Sequence, residues 1–229
     1  PILDPVTTEI HFLNVLIPGD TNEVGPGLTA LGNVMMHGQP RQDTFVRTIT
    51  APAQGATTIT LEKDVQTGGA NGIGWKVGDE VVIPASRWSL TINDGRETEV
   101  RKIIAVCGNT ITLNSSLTYP HPDGCQYDNP ATCTFKPHVA LLSRNVKITS
   151  DPAGTRGTIS ILDTSSQMDM RYVEVNGLGR PFNRGARPGR YAIHLHHLHF
   201  MGQNTAIIGS SVSDALSVGI RIHATDFSL

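Results

Sequence analysis

The sequence is poor in aromatic residues, cysteine and net charge, and each shortage narrows its possible functions. Aromatic residues make up 5% of the 229 residues, and the three cysteines form no C-x-x-C pair of the kind found in structural zinc sites. Lysine and arginine (18) nearly balance aspartate and glutamate (20) and are scattered, so a nucleic-acid partner is not expected. No apolar run reaches the roughly 18 residues of a membrane span, and no signal-peptide pattern opens the sequence.

Turn-forming residues are abundant instead. Glycine and proline account for 23 and 14 residues, and short apolar segments lie between the clusters that they form. No amphipathic helical pattern separates these segments. The sequence therefore predicts an all-β chain.

The cysteines fall into two settings. Cys125 and Cys133 bracket the polar segment QYDNPAT, which favours a local disulfide and an extracellular location. Cys107 ends an apolar strand pattern and is expected to be buried and free.

The segment GRYAIHLHHLHF, residues 189–200, organises the rest of the chain. Within it, His194 and His196 alternate with Ile193 and Leu195. Because successive side chains of a strand point to opposite faces, the two imidazoles share one face and the two apolar side chains share the other. We therefore predict a strand with a solvent-facing row of histidines.

The same alternation recurs at the spacing of a repeat protein. Two sets of apolar positions recur every 27 to 34 residues: Ile159, Ile193 and Ile220, and Val146 with Ile148, Val173 with Val175, and Ile207. Recurrence at 20 to 50 residues indicates stacked units. Since these units are short and β-rich, we predict a parallel β-helix in which each set forms a column.

The remainder of the chain divides where this pattern changes. Residues 1–38 contain two strand patterns separated by the turn-rich segment PGDTNEVGPG, and residues 39–137 show a meander of short strands. Trp75 is expected to cover the end of a small barrel or sandwich within this meander. The coils are expected to begin at His138 and to occupy residues 138–229, so that a small β-rich region precedes the parallel β-helix.

A segment rich in glycine, arginine and proline interrupts the coils at residues 177–189. Its sequence, GLGRPFNRGARPG, predicts a loop that bulges from one coil. Arg180, Arg184 and Arg187 lie within it, and Arg190 follows. The loop is therefore as well suited to contact a polyanion as to be simply solvated.

Several segments, taken in order, resemble a known family. The similarity extends over LGNVMMHGQP, GATTITL, GWKVGDEVVIPAS, TEVRKI, NTITLNSSLTYPH, HVALLSRNVKI, YVEVNGLG and GRYAIHLH. These runs resemble the region that ends and follows the G8 domain in G8-domain proteins, which include the cell-migration-inducing hyaluronan-binding protein, transmembrane protein 2 and the fibrocystins. The resemblance covers most of residues 30–225 and implies a right-handed parallel β-helix, an extracellular location and, for some members, calcium-dependent depolymerisation of hyaluronan.

The leading catalytic candidates are His194, His196 and His223, and the acidic candidate is Glu174. In the predicted register, His223 lies beside His196, and Arg221 lies beside His194, with neighbouring strands about 4.8 Å apart. An imidazole can act as a general acid or base near neutral pH. Glu174 alternates with apolar neighbours and therefore faces outward, where a carboxylate can act on a glycosidic bond.

Four residues are candidates for binding a substrate: Arg187, Arg190, Tyr191 and Arg221. The planar guanidinium fork of arginine pairs well with a carboxylate. A polysaccharide that contains uronic acid supplies such carboxylates, so an acidic glycan is the expected partner.

The same histidines support two further interpretations. His194, His196 and His223 have the spacing of a three-histidine zinc site, with His197 or His199 as spare ligands. Calcium, by contrast, is the cofactor implied by the resemblance. The histidines can also form a stacked polar ladder that only stabilises the coils.

Together these observations predict an extracellular polysaccharide-processing protein. The favoured activity is a glycosidase-type, hyaluronidase-like depolymerisation of a glycan that contains uronic acid. The alternative is a non-catalytic carbohydrate-binding or adhesive β-helix module, because a fold does not fix a function.

Overall fold

The computed structural model describes residues 5–15, 17–19, 25–69, 72–86, 97–124, 135–152, 156–180, 190–198 and 205–223. The chain divides into two compact units, residues 1–39 with 144–229 and residues 40–143. The described strands are β1 (Thr8–Phe12), β2 (Gly27–Ala30), β3 (Val34–His37), β4 (Phe45–Arg47), β5 (Thr58–Thr60), β6 (Glu80–Ile83), β7 (Glu99–Cys107), β8 (Thr110–Leu113), β9 (His138–Leu141), β10 (Val146–Ser150), β11 (Thr158–Leu162), β12 (Met168–Arg171), β13 (Val173–Asn176), β14 (Ile193–His196), β15 (Ala206–Ile208), β16 (Ser211–Ser213) and β17 (Ile220–His223). In the described part of the chain, no helix has the length and apolar character needed to cross a membrane.

The first unit is a parallel β-helix, which confirms the predicted fold class. Sheet A has the order β1–β10–β13–β16, sheet B has the order β2–β11–β14–β17, and sheet C has the order β3–β12–β15. All neighbours within these sheets are parallel. Each of the first three coils therefore contributes one strand to every sheet, and the fourth contributes β16 and β17.

The apolar columns predicted from the repeat are present in the sheets. Ile193 pairs with Ile159 on one side and with Ile220 on the other. Val173 pairs with Val146 in the same way in sheet A. These inward-facing side chains fill the interior of the coils, and Ile159, Val173 and Ile193 are completely buried.

Ile207 departs from the predicted column. It pairs with Met170 in sheet C, whereas the partner of Val175 in sheet A is Val212. The third coil contains the long segment at residues 177–189, so a full turn takes more residues than the repeat spacing suggests. A step of 32 residues from Val175 therefore ends one sheet short of a complete turn.

The N-terminal strands also differ from the predicted boundaries. β1, β2 and β3 pair with β10, β11 and β12, so these three strands form the first coil of the β-helix. The β-rich unit is inserted in the sequence after this coil rather than before the helix. His138 starts β9 of that inserted unit, and the coils resume after residue 143.

The second unit, residues 40–143, is an antiparallel barrel. Its six strands follow the order β4–β9–β6–β7–β8–β5, and an antiparallel bridge between Thr48 and Leu61 joins the two ends of this order. Trp75 is buried in the barrel, and its Nε1–H donates a hydrogen bond to the carbonyl oxygen of Asp43 at 2.8 Å. Trp75 is therefore structural, as predicted.

Cys107 is free but exposed, which corrects the prediction that it is buried. A β-bulge between Ile103 and Ala105 shifts the alternation of β7, so that Val106 packs against the core instead. Cys125 and Cys133 lie outside the described residues, and so does their predicted disulfide.

Candidate functional site

Sheet B carries the predicted row of histidines. Ile193 and Leu195 of β14 point into the buried core, and His194 and His196 alternate with them. Because β17 pairs in register with β14, His194 lies opposite Arg221, and His196 lies opposite His223. The structure therefore brings together the side chains that the sequence placed on one face. The prediction that this whole row faces solvent is wrong for His194, which is buried because the rings of Tyr191 and His196 pack against it.

The three imidazoles form a compact group, here called the histidine cluster (His194, His196 and His223). The ring centroid of His196 lies 4.9 Å from that of His194 and 4.8 Å from that of His223. The rings of His194 and His223 are nearly parallel, with centroids 6.3 Å apart and an interplanar angle of 16°. One ring nitrogen of each residue lies within 4.8 Å of the other two.

The cluster changes from buried to exposed across its members. His194 is only 8% exposed, His196 is half-buried, and His223 is exposed. Burial, followed by the nearby His196, His223 and Arg221, lowers the pKa of His194 to about 4. Burial and then the neighbours His197 and His223 also lower the pKa of His196. Both imidazoles are therefore neutral at neutral pH, and each keeps an unprotonated ring nitrogen.

His194 contains a buried polar atom without a partner. Its Nε2 is shielded from solvent and makes no hydrogen bond within the described part of the chain. Buried polar atoms are nearly always hydrogen-bonded, and leaving one unpaired costs about 1–3 kcal/mol. This arrangement weighs against a polar ladder that serves only to stabilise the coils.

Two of the predicted substrate-binding residues flank the cluster. The ring of Tyr191 meets the ring of His194 edge-on, with centroids 5.1 Å apart. Arg221 Cζ lies 5.8 Å from the ring centroid of Tyr191, within the range of a cation–π contact. Arg190 is half-buried beside them in the chain, and its carbonyl accepts a hydrogen bond from the amide of Arg180 at 2.9 Å.

Other predicted residues have different outcomes. Arg184, Arg187 and His199 lie outside the described residues. His197 is exposed, with its ring centroid 4.1 Å from that of His196 and 6.1 Å from that of His223. It therefore borders the histidine cluster without belonging to the group of mutually close ring nitrogens.

Glu174 does not belong to this site, which corrects its prediction as a catalytic partner of the histidines. It lies on β13 in sheet A, whereas the cluster lies on sheet B. Its outward direction was predicted correctly, but neighbouring groups cover it. The amide of Arg144 donates to its Oε2 at 3.0 Å, and Lys147 Nζ lies 3.3 Å from the same oxygen. The carboxylate is only 9% exposed and is occupied by structural contacts.

The donor atoms of the cluster favour some metals over others. Among the described residues, it is the one group of three or more histidine, cysteine or carboxylate side chains close enough to share an ion. Imidazole nitrogens suit Zn²⁺ and similar transition metals, whereas Ca²⁺ takes six to eight oxygen ligands. The calcium implied by the family resemblance therefore does not fit this site.

Sequence reasoning missed a buried charged group in the barrel. The carboxylate of Glu99 accepts hydrogen bonds from the amides of Thr118 (2.8 Å) and Tyr119 (2.9 Å), and it contacts Arg101 and the buried His121. Burial raises the pKa of Glu99, but these hydrogen bonds outweigh it and bring the pKa down to about 2. Because its oxygens are all engaged, we interpret this group as structural.

Comparison with known proteins bears out the resemblance to G8-domain proteins. The chain is 25% identical over 207 residues to one G8 domain-containing protein of Dictyostelium discoideum and 24% identical over 204 residues to another, in each case over 88% of its length. It is 27% identical to fibrocystin-L of Mus musculus over 138 residues, or 58% of the chain. It spans 12% of the length of each Dictyostelium protein and 3% of fibrocystin-L. No family model matches the chain.

Among solved structures, similarity is found to phage tailspikes. Tailspike gp61 of Pseudomonas phage phi297 matches with a TM-score of 0.34 and 12% identity, over 83% of this chain and 36% of the tailspike. Tailspike gp49 of Pseudomonas phage LKA1 matches with a TM-score of 0.33 and 12% identity, over 95% of this chain and 41% of the tailspike. The gp54 tailspike of Acinetobacter baumannii phage AP22 was solved in complex with A. baumannii capsular saccharide. It matches with a TM-score of 0.30 and 10% identity, over 82% of this chain and 25% of the tailspike. The β-helix assignment itself follows from the three parallel sheets of this chain.

Proposed function

We propose that this chain belongs to an extracellular protein that binds and depolymerises an acidic polysaccharide on the outward face of sheet B. One observation carries this proposal: the histidine cluster, Tyr191 and Arg221 converge on a single face. The resemblance to G8-domain proteins supports hyaluronan as the favoured substrate. The chain spans a small part of each relative, so sequence similarity alone does not establish its activity, and the activity is proposed here.

The chemistry of this face suits a glycan that contains uronic acid. Arg221 is exposed on β17, the last described strand of sheet B, and its planar guanidinium can pair with a carboxylate. Tyr191 presents an aromatic ring beside it, which combines an apolar surface with a hydroxyl group. Hyaluronan carries one carboxylate in every disaccharide, so it offers a charged group at regular intervals.

The shape of the sheet suits a long substrate. Thr29, Ser160, His194 and Arg221 occupy one column that crosses all four strands of sheet B. Neighbouring strands lie about 4.8 Å apart, so this column extends for about 14 Å along the helix axis. A polysaccharide lying along the axis can therefore contact polar side chains from several coils.

The catalytic groups on this face are imidazoles rather than paired carboxylates. Ordinary glycoside hydrolysis uses two carboxyl groups on either side of the bond. Glu174 is covered in sheet A, and Asp169 in sheet C is engaged by His37 (2.8 Å) and Arg171 (2.7 Å). The neutral His194 and His196 instead offer ring nitrogens that can accept a proton or bind a metal ion.

A non-catalytic carbohydrate-binding module is the second candidate. The engagement of Glu174 and Asp169 favours it, because neither carboxylate is available as a hydrolytic acid or nucleophile. In this case Arg221 and Tyr191 bind the glycan, and the chain leaves its length unchanged.

The two candidates are separated by incubating the protein with hyaluronan of defined length and measuring chain length on a gel and affinity by calorimetry. A neutral polysaccharide tests the need for the carboxylate. The paired variant His196→Ala/His223→Ala should abolish shortening, whereas His11→Ala/His37→Ala, on sheets A and C, should retain it. Binding without shortening indicates the non-catalytic module. If the protein neither binds nor shortens hyaluronan, both candidates are rejected.

A further inference from the structure

We propose that His194, His196 and His223 form a three-histidine site for Zn²⁺, with the remaining coordination position open to solvent. The site lies on the face described above, and its use in catalysis rests on the proposed function. The binding of the metal itself stands on the geometry of the histidine cluster.

The distances within the cluster are close to those of a loaded site. Tetrahedral Zn²⁺ with Zn–N bonds of 2.0–2.1 Å places its ligand nitrogens about 3.4 Å apart. One ring nitrogen from each of the three histidines already lies within 4.8 Å of the other two. Closing the remaining gap needs rotation of one or two rings, and His223 is exposed whereas His194 is buried.

The backbone fixes two of the three ligands before any metal binds. His194 and His196 stand on the same face of β14, and β14 lies between β11 and β17. His223 is held opposite His196 by the parallel pairing of the two strands. Because the site is assembled from regular strands, little chain ordering is needed to bind an ion.

A metal ion bound by the cluster would give the unpartnered nitrogen of His194 a partner. Its Nε2 is buried and makes no hydrogen bond within the described residues, although burying a polar atom in this way is unfavourable. An ion bound at this nitrogen would supply the missing partner without requiring a proton. The same residue is the deepest member of the cluster, so it would form the floor of the site and leave the open position on the side of His223.

The surrounding charges are compatible with a neutral ligand set. Three neutral imidazoles and one water molecule are the ligands of a known class of catalytic zinc site. Arg221 is a cation close to the cluster, and its guanidinium lies against the ring of Tyr191. A bound Zn²⁺ would lower the pKa of its water and would give this face a nucleophile that Glu174 and Asp169 do not provide.

The test uses untagged protein, because a histidine tag binds the same metals. The protein is stripped with a chelator and dialysed, and Zn²⁺ is titrated by calorimetry. Co²⁺ is then added as a spectroscopic substitute, since tetrahedral Co²⁺ gives intense visible absorption. We expect one equivalent of Zn²⁺ to bind, Co²⁺ to give the tetrahedral spectrum, and Zn²⁺ to raise the melting temperature.

Matched variants locate the site. His223→Gln is the first choice because His223 is exposed on the last described strand of sheet B, so the variant is expected to fold; His194→Gln follows. Each should weaken Zn²⁺ binding by about a hundredfold or more, since even indirect ligand contacts are worth 10–100-fold. His11→Gln is the control, because His11 is a half-exposed histidine on sheet A.

Three results overturn the proposal: no Zn²⁺ binding by the wild type, unchanged binding in a folded His223→Gln variant, or an equal loss in His11→Gln. The outcome is independent of the glycan assay. If Zn²⁺ binds but hyaluronan neither binds nor shortens, the metal site stands and the proposed function fails. If stripped protein that binds no Zn²⁺ still shortens hyaluronan, the proposed function stands and the metal site fails.

Discussion

His196 and His223 are 27 residues apart in the sequence, yet they are direct neighbours in parallel register, with ring centroids 4.8 Å apart. Each comes from a different coil, so neither strand holds the cluster by itself. The candidate site is therefore a property of coil stacking. It depends on the inward columns that keep β14 and β17 in register.

The first prediction separates a functional role of the histidine cluster from a structural one. His194→Leu removes a buried polar atom that lacks a partner and replaces it with an apolar side chain. Because an unpaired buried group costs about 1–3 kcal/mol, we expect the free energy of unfolding to stay the same or to rise. Urea unfolding followed by circular dichroism measures it.

The control for this variant is Leu195→Ala, which empties a core position next to it. We expect Leu195→Ala to lose about 2–5 kcal/mol. A comparable loss in His194→Leu would show that the histidines are a stabilising ladder.

The stacking of the C-terminal coils could be predicted from the sequence because their strands share the same alternation of apolar and polar residues. Ile193 and Ile220 occupy matching positions, and the intervening chain is short enough for the match to be visible. The first coil gave no such signal. Ala30 of β2 stands where the other coils have isoleucine or leucine, and its partner Ile161 follows the whole inserted barrel in the sequence.

The site could be predicted in part for the same reason. Alternation and register are enough to place His194, His196 and His223 together, since all are on paired strands. Alternation also gave the direction of Glu174, but it does not reveal what lies above an outward side chain. The amide of Arg144 that covers Glu174 belongs to the preceding coil, and only the folded chain brings the two together.

The second prediction concerns the inward column of sheet B. Ile161 is completely buried between Ala30 and Leu195, whereas Ile222 ends the same column and is 43% exposed. Ile161→Ala should lower the free energy of unfolding by about 2–5 kcal/mol, because it leaves a cavity between coils. Ile222→Ala removes the same atoms from a half-exposed position and should cost less than about 1.5 kcal/mol. Urea unfolding measures both losses. Equal losses of free energy in the two variants would contradict the burial of Ile161 within an inward column.

The third prediction is a dependence of barrel stability on pH. The pKa of Glu99 is about 2 in the folded chain, compared with an ordinary value of 4.5. A lowered folded-state pKa means that the stabilisation is fully present above about pH 4.5 and is lost as the pH falls towards 2. The difference between these two pKa values corresponds to about 3 kcal/mol in the free energy of unfolding. Glu99→Gln should remove most of this dependence.

Tryptophan fluorescence is the measurement for Glu99, because both tryptophans of the chain, Trp75 and Trp88, belong to residues 40–143. The control is Glu62→Gln, since Glu62 is a half-exposed residue paired with Arg47. If the wild type and Glu99→Gln lose stability in parallel between pH 4.5 and 2, Glu99 is not the group responsible.

The fourth prediction concerns recognition of the glycan carboxylate. Arg221→Gln should weaken hyaluronan binding by about tenfold, because one charge-assisted hydrogen bond is lost at an exposed position. Binding by the wild type should also weaken more steeply with salt than binding by the variant. Arg171→Gln, an exposed arginine in sheet C, is the control. Calorimetry at two salt concentrations measures both effects, and equal affinities for the two variants would place the substrate elsewhere.

The last prediction assigns Glu174 to stability instead of catalysis. Glu9, Lys147 and Glu174 form one outward column across three coils of sheet A, and Glu174 is its buried member. Glu174→Gln removes the charge that Lys147 Nζ faces at 3.3 Å and weakens the acceptor for the Arg144 amide. We expect a loss of about 1.5–3 kcal/mol in the free energy of unfolding, since hydrogen bonds to charged groups are worth that much.

Two further measurements make this assignment decisive. Glu9→Gln, at the half-exposed end of the same column, should change stability by less than about 1 kcal/mol. Neither variant should change hyaluronan binding, chain shortening or Zn²⁺ affinity, because the histidine cluster lies on sheet B. If Glu174→Gln instead keeps full stability and abolishes shortening, its carboxylate acts on the substrate, and the active surface must extend from sheet B to sheet A.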